Sequence, residues 1–165
     1  MGTRSVRAFG NTAAIDQSAD PASPPGGVMS AEIPAVLRAL VQDRARMRCE
    51  YCLLHEEDSW QPHQPDHIIA VKHRGPTESA NLAWTCTLCN RHKGSDLASI
   101  DVNTGRIVRL FHPRRDQWSR HFRLNRGRIL ARTAVGRVTI FLLQVNRPDR
   151  VQIRRVLHDL GLYPR

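Results

Sequence analysis

The 165-residue sequence has few aromatic residues and no apolar run long enough to span a membrane. A membrane-spanning helix needs about 20 consecutive apolar residues, so this absence excludes one. The first residues also lack the apolar segment that follows the basic start of a signal peptide. We therefore expect a soluble, cytoplasmic protein with no membrane partner. Its length is sufficient for one domain with a sizeable buried core.

Lysine is also scarce, because only 2 of the 25 basic residues are lysine and the other 23 are arginine. Residues 106–165 contain 15 arginines and only 3 acidic residues, which gives +12 in a chain whose net charge is +10. Phosphate groups attract such a field, and arginine binds phosphate oxygens in a bidentate manner that lysine cannot reproduce. This distribution predicts a nucleic-acid partner. A merely solvated basic surface, or a codon bias toward arginine, stays open as the alternative.

The sequence contains four cysteines, arranged as two Cys-x-x-Cys pairs that are separated by 33 residues: Cys49, Cys52, Cys86 and Cys89. In a reducing compartment such pairs are typical metal ligands. Zinc prefers four tetrahedral thiolate or imidazole ligands, and a two-residue gap lets both sulfurs of a pair face one ion. We predict a closed, structural zinc site. The alternatives are free or redox-active pairs, or ligation by one of the histidines at positions 55, 63 and 92.

Composition divides the chain into a leader and one domain. Residues 1–29 are poor in large apolar side chains and end in a Pro- and Gly-rich run, which predicts a disordered leader. Residues 30–165 form the predicted single domain, with an N-terminal helix over 30–46 that Ser30 would cap. Apolar residues recur there at helical spacing and predict a core face: Ile33, Val36, Leu37, Leu40 and Val41.

The segment 47–100 is the predicted metal-binding core. The sequence indicates a short strand that begins at Asp66 and His67, a turn at 73–76 and a second extended segment at 81–85. A helix is predicted over 90–100. The predicted order is therefore strand, loop, strand, helix, which indicates an α+β fold.

The segment 101–165 is the predicted basic C-terminal part, with two hairpins followed by two helices. One hairpin should turn at 103–105, and the other, over 122–132, should expose a row of arginines that includes Arg128 and Arg132. An irregular basic link over 112–122 joins them. Thr133 caps a helix that extends to about residue 145, although its β-branched content leaves a strand open. Pro148 begins the last helix, whose predicted core face is Ile153, Val156, Leu157 and Leu160.

Several polar residues between and after the cysteine pairs suit phosphodiester hydrolysis. That reaction needs an activated water and a cation at the phosphate. A neutral histidine such as His67 is the best base near pH 7, and Asp66, its neighbour on a strand, points to the opposite side. If the following helix packs across that side, Asp66 and Asn90 can share an oxygen-preferring cation such as Mg²⁺.

The run Asp66-His67, Asn81 and Cys86-x-x-Cys89-Asn90-x-x-Lys93-Gly94 resembles the HNH endonucleases. The resemblance implies a ββα-metal core, HNH or treble-clef-like, with a four-cysteine structural zinc. It further implies that Asp66 and Asn90 are metal ligands and that His67 is the general base, whereas Asn81 orients that base or steadies the loop. The family's third position is Asn90 here, so the chain is an H-N-N variant.

We therefore interpret the sequence as that of a metal-dependent endonuclease that hydrolyses DNA, with Zn²⁺ as the structural ion and Mg²⁺ or Mn²⁺ as the catalytic ion. Arg91 and Lys93 are predicted phosphate contacts. His92 is a weaker candidate, because two residues along a helix it faces about 200° away from Asn90. The alternative is a zinc-knuckle nucleic-acid-binding module without activity. One active site per chain fits nicking by a monomer or double-strand cleavage by a homodimer, and both stay open.

Overall fold

A computed structural model describes residues 32–164. The described chain contains five α-helices, which are α1 (Ala35–Arg44), α2 (Thr87–Lys93), α3 (Trp118–His121), α4 (Ala134–Leu142) and α5 (Pro148–Asp159). Its strands are β1 (Gln64–His67), β2 (Leu82–Thr85), β3 (Ala98–Ile100), β4 (Ile107–Arg109), β5 (Phe122–Asn125) and β6 (Arg128–Ala131). None of these helices is long and apolar enough to cross a membrane. The predicted leader over 1–29 and the Ser30 cap lie outside the described residues.

The strands form three separate antiparallel pairs, β1 with β2, β3 with β4 and β5 with β6. In the first pair Asp66 lies opposite Ala83 and His67 lies opposite Leu82. Strand β2 is fully buried and leads through the single residue Cys86 into α2. The predicted α+β fold class is therefore confirmed, with a two-strand, one-helix unit whose strands lie between the two cysteine pairs and whose helix contains Cys89.

Apolar side chains gather in two clusters. The larger one joins the cysteines to the hairpins and to α4, and it includes Tyr51, Phe111, Phe122, Ile129 and Val138. The smaller one lies between α1 and β2 and consists of Val41, Ala45, Leu82 and Trp84, with Ile33 and Leu37 against it. Two residues of the predicted core face of α1 do not belong to it, because Val36 is 78% exposed and Leu40 is 45% exposed.

Helix α1 is shorter than the predicted span of 30–46. It begins at Ala35, because the preceding Pro34 has an extended ψ of 143° and acts as the N-cap. A residue before proline also disfavours helical dihedrals, which keeps the helix from starting earlier within the described chain. At the other end Arg46 and Met47 have positive φ values of 51° and 57°, so the helix stops at Arg44.

Two predicted boundaries of secondary-structure elements in the metal-binding segment were wrong. Strand β1 ends at Asp66 and His67 rather than beginning there. Helix α2 ends at Lys93, because Gly94 adopts a φ of 51°, and residues 98–100 form strand β3 instead of continuing the predicted helix over 90–100. Pairing with β4 across the turn at 103–105 provides the backbone partners that a helix would have supplied.

The C-terminal segment has the predicted hairpins and helices, with one addition. Arg126 and Gly127, at φ values of 43° and 77°, make the tight turn between β5 and β6. Part of the predicted irregular link folds as the short helix α3. The hydroxyl of Thr133 accepts a hydrogen bond from the Gly136 N–H at 3.2 Å, which caps α4 and excludes the strand alternative.

Helix α5 begins at the predicted Pro148, but its predicted core face was only partly right, because Ile153 and Leu157 are half-buried and the other two residues are exposed. Val156 and Leu160 are 49% and 66% exposed, whereas the buried residues are Arg150, Val151 and Arg154. The two arginines are buried because their guanidinium groups find backbone carbonyl partners in neighbouring segments. Apolar periodicity therefore identified the helix but not the side that it buries.

Candidate metal centre and active site

Each cysteine pair lies in a tight local structure. Cys86 is the N-cap of α2, and its sulfur accepts a hydrogen bond from the Cys89 N–H at 3.4 Å. The first pair lies in a turn closed by two bonds, from the Leu53 N–H to the Cys49 carbonyl at 2.8 Å and from the Cys49 N–H to the Leu54 carbonyl at 2.9 Å. Each turn places the two sulfurs of its pair on one side.

The four sulfur atoms meet in one buried cluster, where they all lie within 4.8 Å of one another. A tetrahedral zinc with Zn–S bonds of about 2.3 Å requires sulfurs about 3.8 Å apart. The Cys52 and Cys86 sulfurs are separated by 3.8 Å. Burial raises the pKa of the Cys49 and Cys89 thiols well above the usual range, so four thiolates need a cation among them. The donor set fits a structural zinc ion.

Two of the three histidines that were rival ligands have other partners. His63 is 3% exposed, and its Nε2 lies 3.0 Å from the Leu54 carbonyl oxygen. The Nδ1 of His55 accepts a hydrogen bond from the Glu57 N–H at 3.3 Å. Among the described residues, the four cysteines form the cluster without a histidine.

Residues far along the chain hold this cluster from outside. The Arg150 guanidinium lies 3.0 Å from the Cys89 sulfur, and the Tyr163 hydroxyl donates to the Cys52 carbonyl at 2.7 Å. The Trp118 indole N–H donates to the Tyr51 carbonyl at 3.0 Å. Sequence reasoning missed these three residues, since no local spacing relates them to the cysteines. The excess of arginine after position 106 was the one available signal, and it was interpreted as surface charge.

The carboxylate of Asp66 is paired with the ammonium group of Lys93 at 3.0 Å. Lys93 is 2% exposed and also donates to the His67 carbonyl at 2.8 Å and the Gly94 carbonyl at 3.1 Å. Burial raises the pKa of Asp66, although Lys93 acts in the opposite direction. Lys93 was predicted to contact phosphate, and the structure places it inside the fold as a link between α2 and β1.

His67 lies next to this pair, at the end of β1. Its Nε2 lies 2.9 Å from the Thr77 hydroxyl oxygen. Burial lowers the pKa of His67 and Lys93 lowers it further, against the opposite effect of Asp66. The imidazole is therefore largely neutral near pH 7 and able to accept a proton. Thr77 was missed because the sequence does not indicate which loop residue folds back onto the strand.

Asn81 is 5% exposed and uses its amide to hold the loop between β1 and β2. Its oxygen accepts from the Ile69 N–H at 2.9 Å, and its nitrogen donates to the carbonyls of Ile69 and Pro76, each at 2.9 Å. Within this loop Gly75 lies so close to Ile69 that a β-carbon at Gly75 would collide with the Ile69 carbonyl. Of the two roles implied for Asn81, these contacts correspond to steadying the loop.

Asn90 lies on α2, three residues before Lys93. Residues three apart share a side of a helix, so the side that reaches Asp66 through Lys93 also carries Asn90. Arg91 is exposed. His92 lies elsewhere on the helix, where burial lowers its pKa and the charges of Arg150 and Arg147 lower it further.

The hairpin of β5 and β6 has one buried and one exposed face. Phe122 and Ile129 are buried in the main core. Arg123 and Arg128 project from the other face of the paired strands, and both are exposed. Arg132, one residue past β6, is exposed as well. Arg128 and Arg132 are thus both accessible at this hairpin.

The described chain therefore has the features of a metal-binding ββα domain. These features are the two strands and the helix, the cluster of four cysteines, and the Asp-His pair at the end of β1. Residues 49–96 match the family model described as HNH endonuclease, a nuclease-type family. The match confirms the predicted resemblance over that segment, which is under a third of the 165 residues. No significant match was found among curated proteins or among solved structures.

Proposed function

We propose that the protein is a metal-dependent endonuclease that hydrolyses phosphodiester bonds of DNA. The observation that carries the proposal is the environment of Asp66 and His67. Both lie at the end of β1, with Lys93 against the carboxylate and Thr77 against the imidazole. They also fall within the segment that matches the HNH endonuclease model.

His67 is the proposed general base. Its neutral imidazole accepts a proton from the water that attacks the phosphorus atom. In the proposed tautomer the Nε2–H donates to the Thr77 hydroxyl, which leaves Nδ1 as the nitrogen that accepts this proton. Asn81 contributes indirectly, because its three hydrogen bonds hold the loop that carries Thr77 toward His67.

Asp66 and Asn90 are the proposed ligands of one divalent cation, Mg²⁺ or Mn²⁺. A carboxylate and an amide oxygen are the hard donors that these ions prefer. Burial raises the pKa of Asp66 in spite of Lys93, and a second cation beside this carboxylate would act against that effect of burial. When bound, such an ion supplies positive charge for the phosphate and the departing 3′ oxygen.

The four cysteines are the proposed ligands of a structural Zn²⁺. The site is closed by four sulfur donors and is buried, so it offers no position for a water. Its role is to fix β2, α2 and the first cysteine turn relative to one another.

Exposed arginines are the proposed contacts to the DNA backbone. Arg91 lies on α2 near the active site, whereas Arg128 and Arg132 lie on the exposed face of the second hairpin. Contacts of this kind position the duplex without reading its sequence. The net charge of +10 favours their encounter with a polyanion.

The test is cleavage of plasmid DNA by Asp66→Ala and Asn90→Ala over a titration of Mg²⁺ and of Mn²⁺. We expect both variants to lose cleavage while DNA binding in a gel shift is retained. Asp43→Ala and Asn103→Ala, at exposed positions, are the matched controls and should cleave as the wild type does. Full activity of Asp66→Ala would contradict the ligand assignment. Binding without cleavage by the wild type would favour the non-catalytic binding module.

A further inference from the structure

Arg150 is a buried arginine that contacts the cysteine cluster from outside the matched segment. It lies in the first turn of α5 and is 4% exposed. One terminal nitrogen is 3.0 Å from the Cys89 sulfur and 3.9 Å from the Cys86 sulfur. The other donates to the Leu143 carbonyl at 2.7 Å and to the Gln144 carbonyl at 3.2 Å. The guanidinium is therefore held rigidly with one edge toward the second cysteine pair.

A buried positive charge is costly unless a negative group compensates it. None of the ion pairs within residues 32–164 joins Arg150 to a carboxylate, and its neighbour Asp149 pairs with Arg147 instead. The sulfurs are the anionic partners within its reach. Four thiolates around one divalent ion carry a net charge of −2, so one guanidinium halves the excess negative charge of the site.

Arg154 provides an internal comparison, since it lies one turn further along α5 and is 2% exposed. Its guanidinium donates to the carbonyls of Gly127 and Val145, each at 2.7 Å, and to the Asn146 side-chain oxygen at 3.3 Å. These partners are neutral oxygens of the C-terminal segment, not sulfurs. Both arginines dock the helix, but only Arg150 also contacts the sulfurs of the metal site.

We propose that Arg150 is a positioning residue of the four-cysteine metal site, which orients the Cys86 and Cys89 sulfurs and compensates their charge. Retention of zinc then depends on α5, which lies outside the segment matched by the HNH endonuclease model. The inference rests on the zinc assignment and not on cleavage. Failure of the nuclease proposal would therefore leave it intact.

The test is the zinc affinity of the full-length protein, measured by competition with a chromophoric chelator. Partners of metal ligands contribute about 10–100-fold in affinity, so Arg150→Gln should bind zinc about that much more weakly than the wild type. Arg154→Gln, which also removes a buried guanidinium, should stay within about threefold. In the Co²⁺-substituted protein, Arg150→Gln should also shift the thiolate-to-cobalt absorption band, which Arg154→Gln should not do.

Two results would overturn the proposal. One is a zinc affinity of Arg150→Gln within about threefold of the wild type. The other is an equal loss in Arg154→Gln, which would assign the effect to general destabilisation. If Arg150→Gln yields no folded protein, Arg150→Lys and Arg154→Lys make the same comparison with the charge retained. Lysine lacks the planar fork that reaches sulfur and carbonyl together, so a selective loss in Arg150→Lys supports the orienting role, and its absence refutes that role.

Discussion

The ammonium group of Lys93 lies 3.0 Å from a carboxylate oxygen of Asp66, and this ion pair joins the end of α2 to the end of β1. The same nitrogen donates to the His67 carbonyl at 2.8 Å. One buried side chain thus fixes both residues of the Asp-His pair relative to the helix that carries Asn90. This contact explains why a lysine near the candidate active site is enclosed rather than exposed.

Replacing Lys93 with methionine should destabilise the fold. The variant leaves the Asp66 carboxylate, whose side chain is 14% exposed, without its cation. Breaking a buried ion pair in this way typically costs about 3 kcal/mol. Urea unfolding measures the change, with Lys72→Met as the control, because Lys72 is the chain's other lysine and is exposed. Equal stability of the two variants would show that the ion pair contributes little.

Replacing Thr77 with valine should impair cleavage while leaving DNA affinity unchanged. The variant removes the hydroxyl that lies 2.9 Å from His67 Nε2, and so removes the contact that orients the ring. A hydrogen bond of about 1 kcal/mol corresponds to a roughly fivefold lower rate constant. Thr77→Ser restores a hydroxyl and should recover most of that loss. Failure of serine to do so would assign the effect to packing.

The cysteines and Lys93 show which parts of the candidate site could be predicted from the sequence and which could not. The cysteine pairs were predictable because the ligands of a pair are close along the chain and their spacing reflects the metal geometry. The pairing of Lys93 with Asp66 depends on a tertiary contact across more than 25 residues. Local patterns contain no information about such contacts, so Lys93 was predicted to contact phosphate.

Reversing the charge of Arg128 and Arg132 together should weaken DNA binding and reduce its dependence on salt. Each lost phosphate contact lowers the slope of log K against log salt by about 1. We expect a decrease of about 2 for Arg128→Glu with Arg132→Glu, measured by fluorescence anisotropy. Arg38→Glu with Arg46→Glu changes the net charge equally at exposed positions of the N-terminal part. If both double variants behave alike, the hairpin surface has no special role.

Acid should destabilise the fold through Asp101, which is paired with Arg137 at 2.8 Å. The hydrogen bonds from Arg137 lower the pKa of Asp101 from 3.8 to about 2. The unfolded state therefore binds the proton first, and this stabilisation is present above about pH 4 and lost as the pH falls toward 2. Asp101→Asn should be less stable than the wild type at pH 7, with a difference that shrinks toward pH 2. A difference that does not change with pH, as measured by urea unfolding beside the exposed control Asp43→Asn, would contradict this.

The last helix shows a second reason why prediction from sequence was incomplete. Its start at Pro148 and its stop before Gly161 follow from local backbone preferences and were predictable. Its buried side was not, because Arg150 and Arg154 are buried through partners that lie elsewhere in the chain. A rule that places apolar residues inside cannot identify a helix that docks through its arginines.

The most direct test of the proposed activity is a plasmid-nicking assay of the wild type, His67→Ala and His73→Ala, each with Mg²⁺, with Mn²⁺ and with EDTA. His73 is an exposed histidine of the same loop and serves as the matched control. We expect metal-dependent cleavage by the wild type and His73→Ala, and none by His67→Ala, which still binds the plasmid. Cleavage by His67→Ala at the wild-type rate would contradict the assignment of His67 as the base.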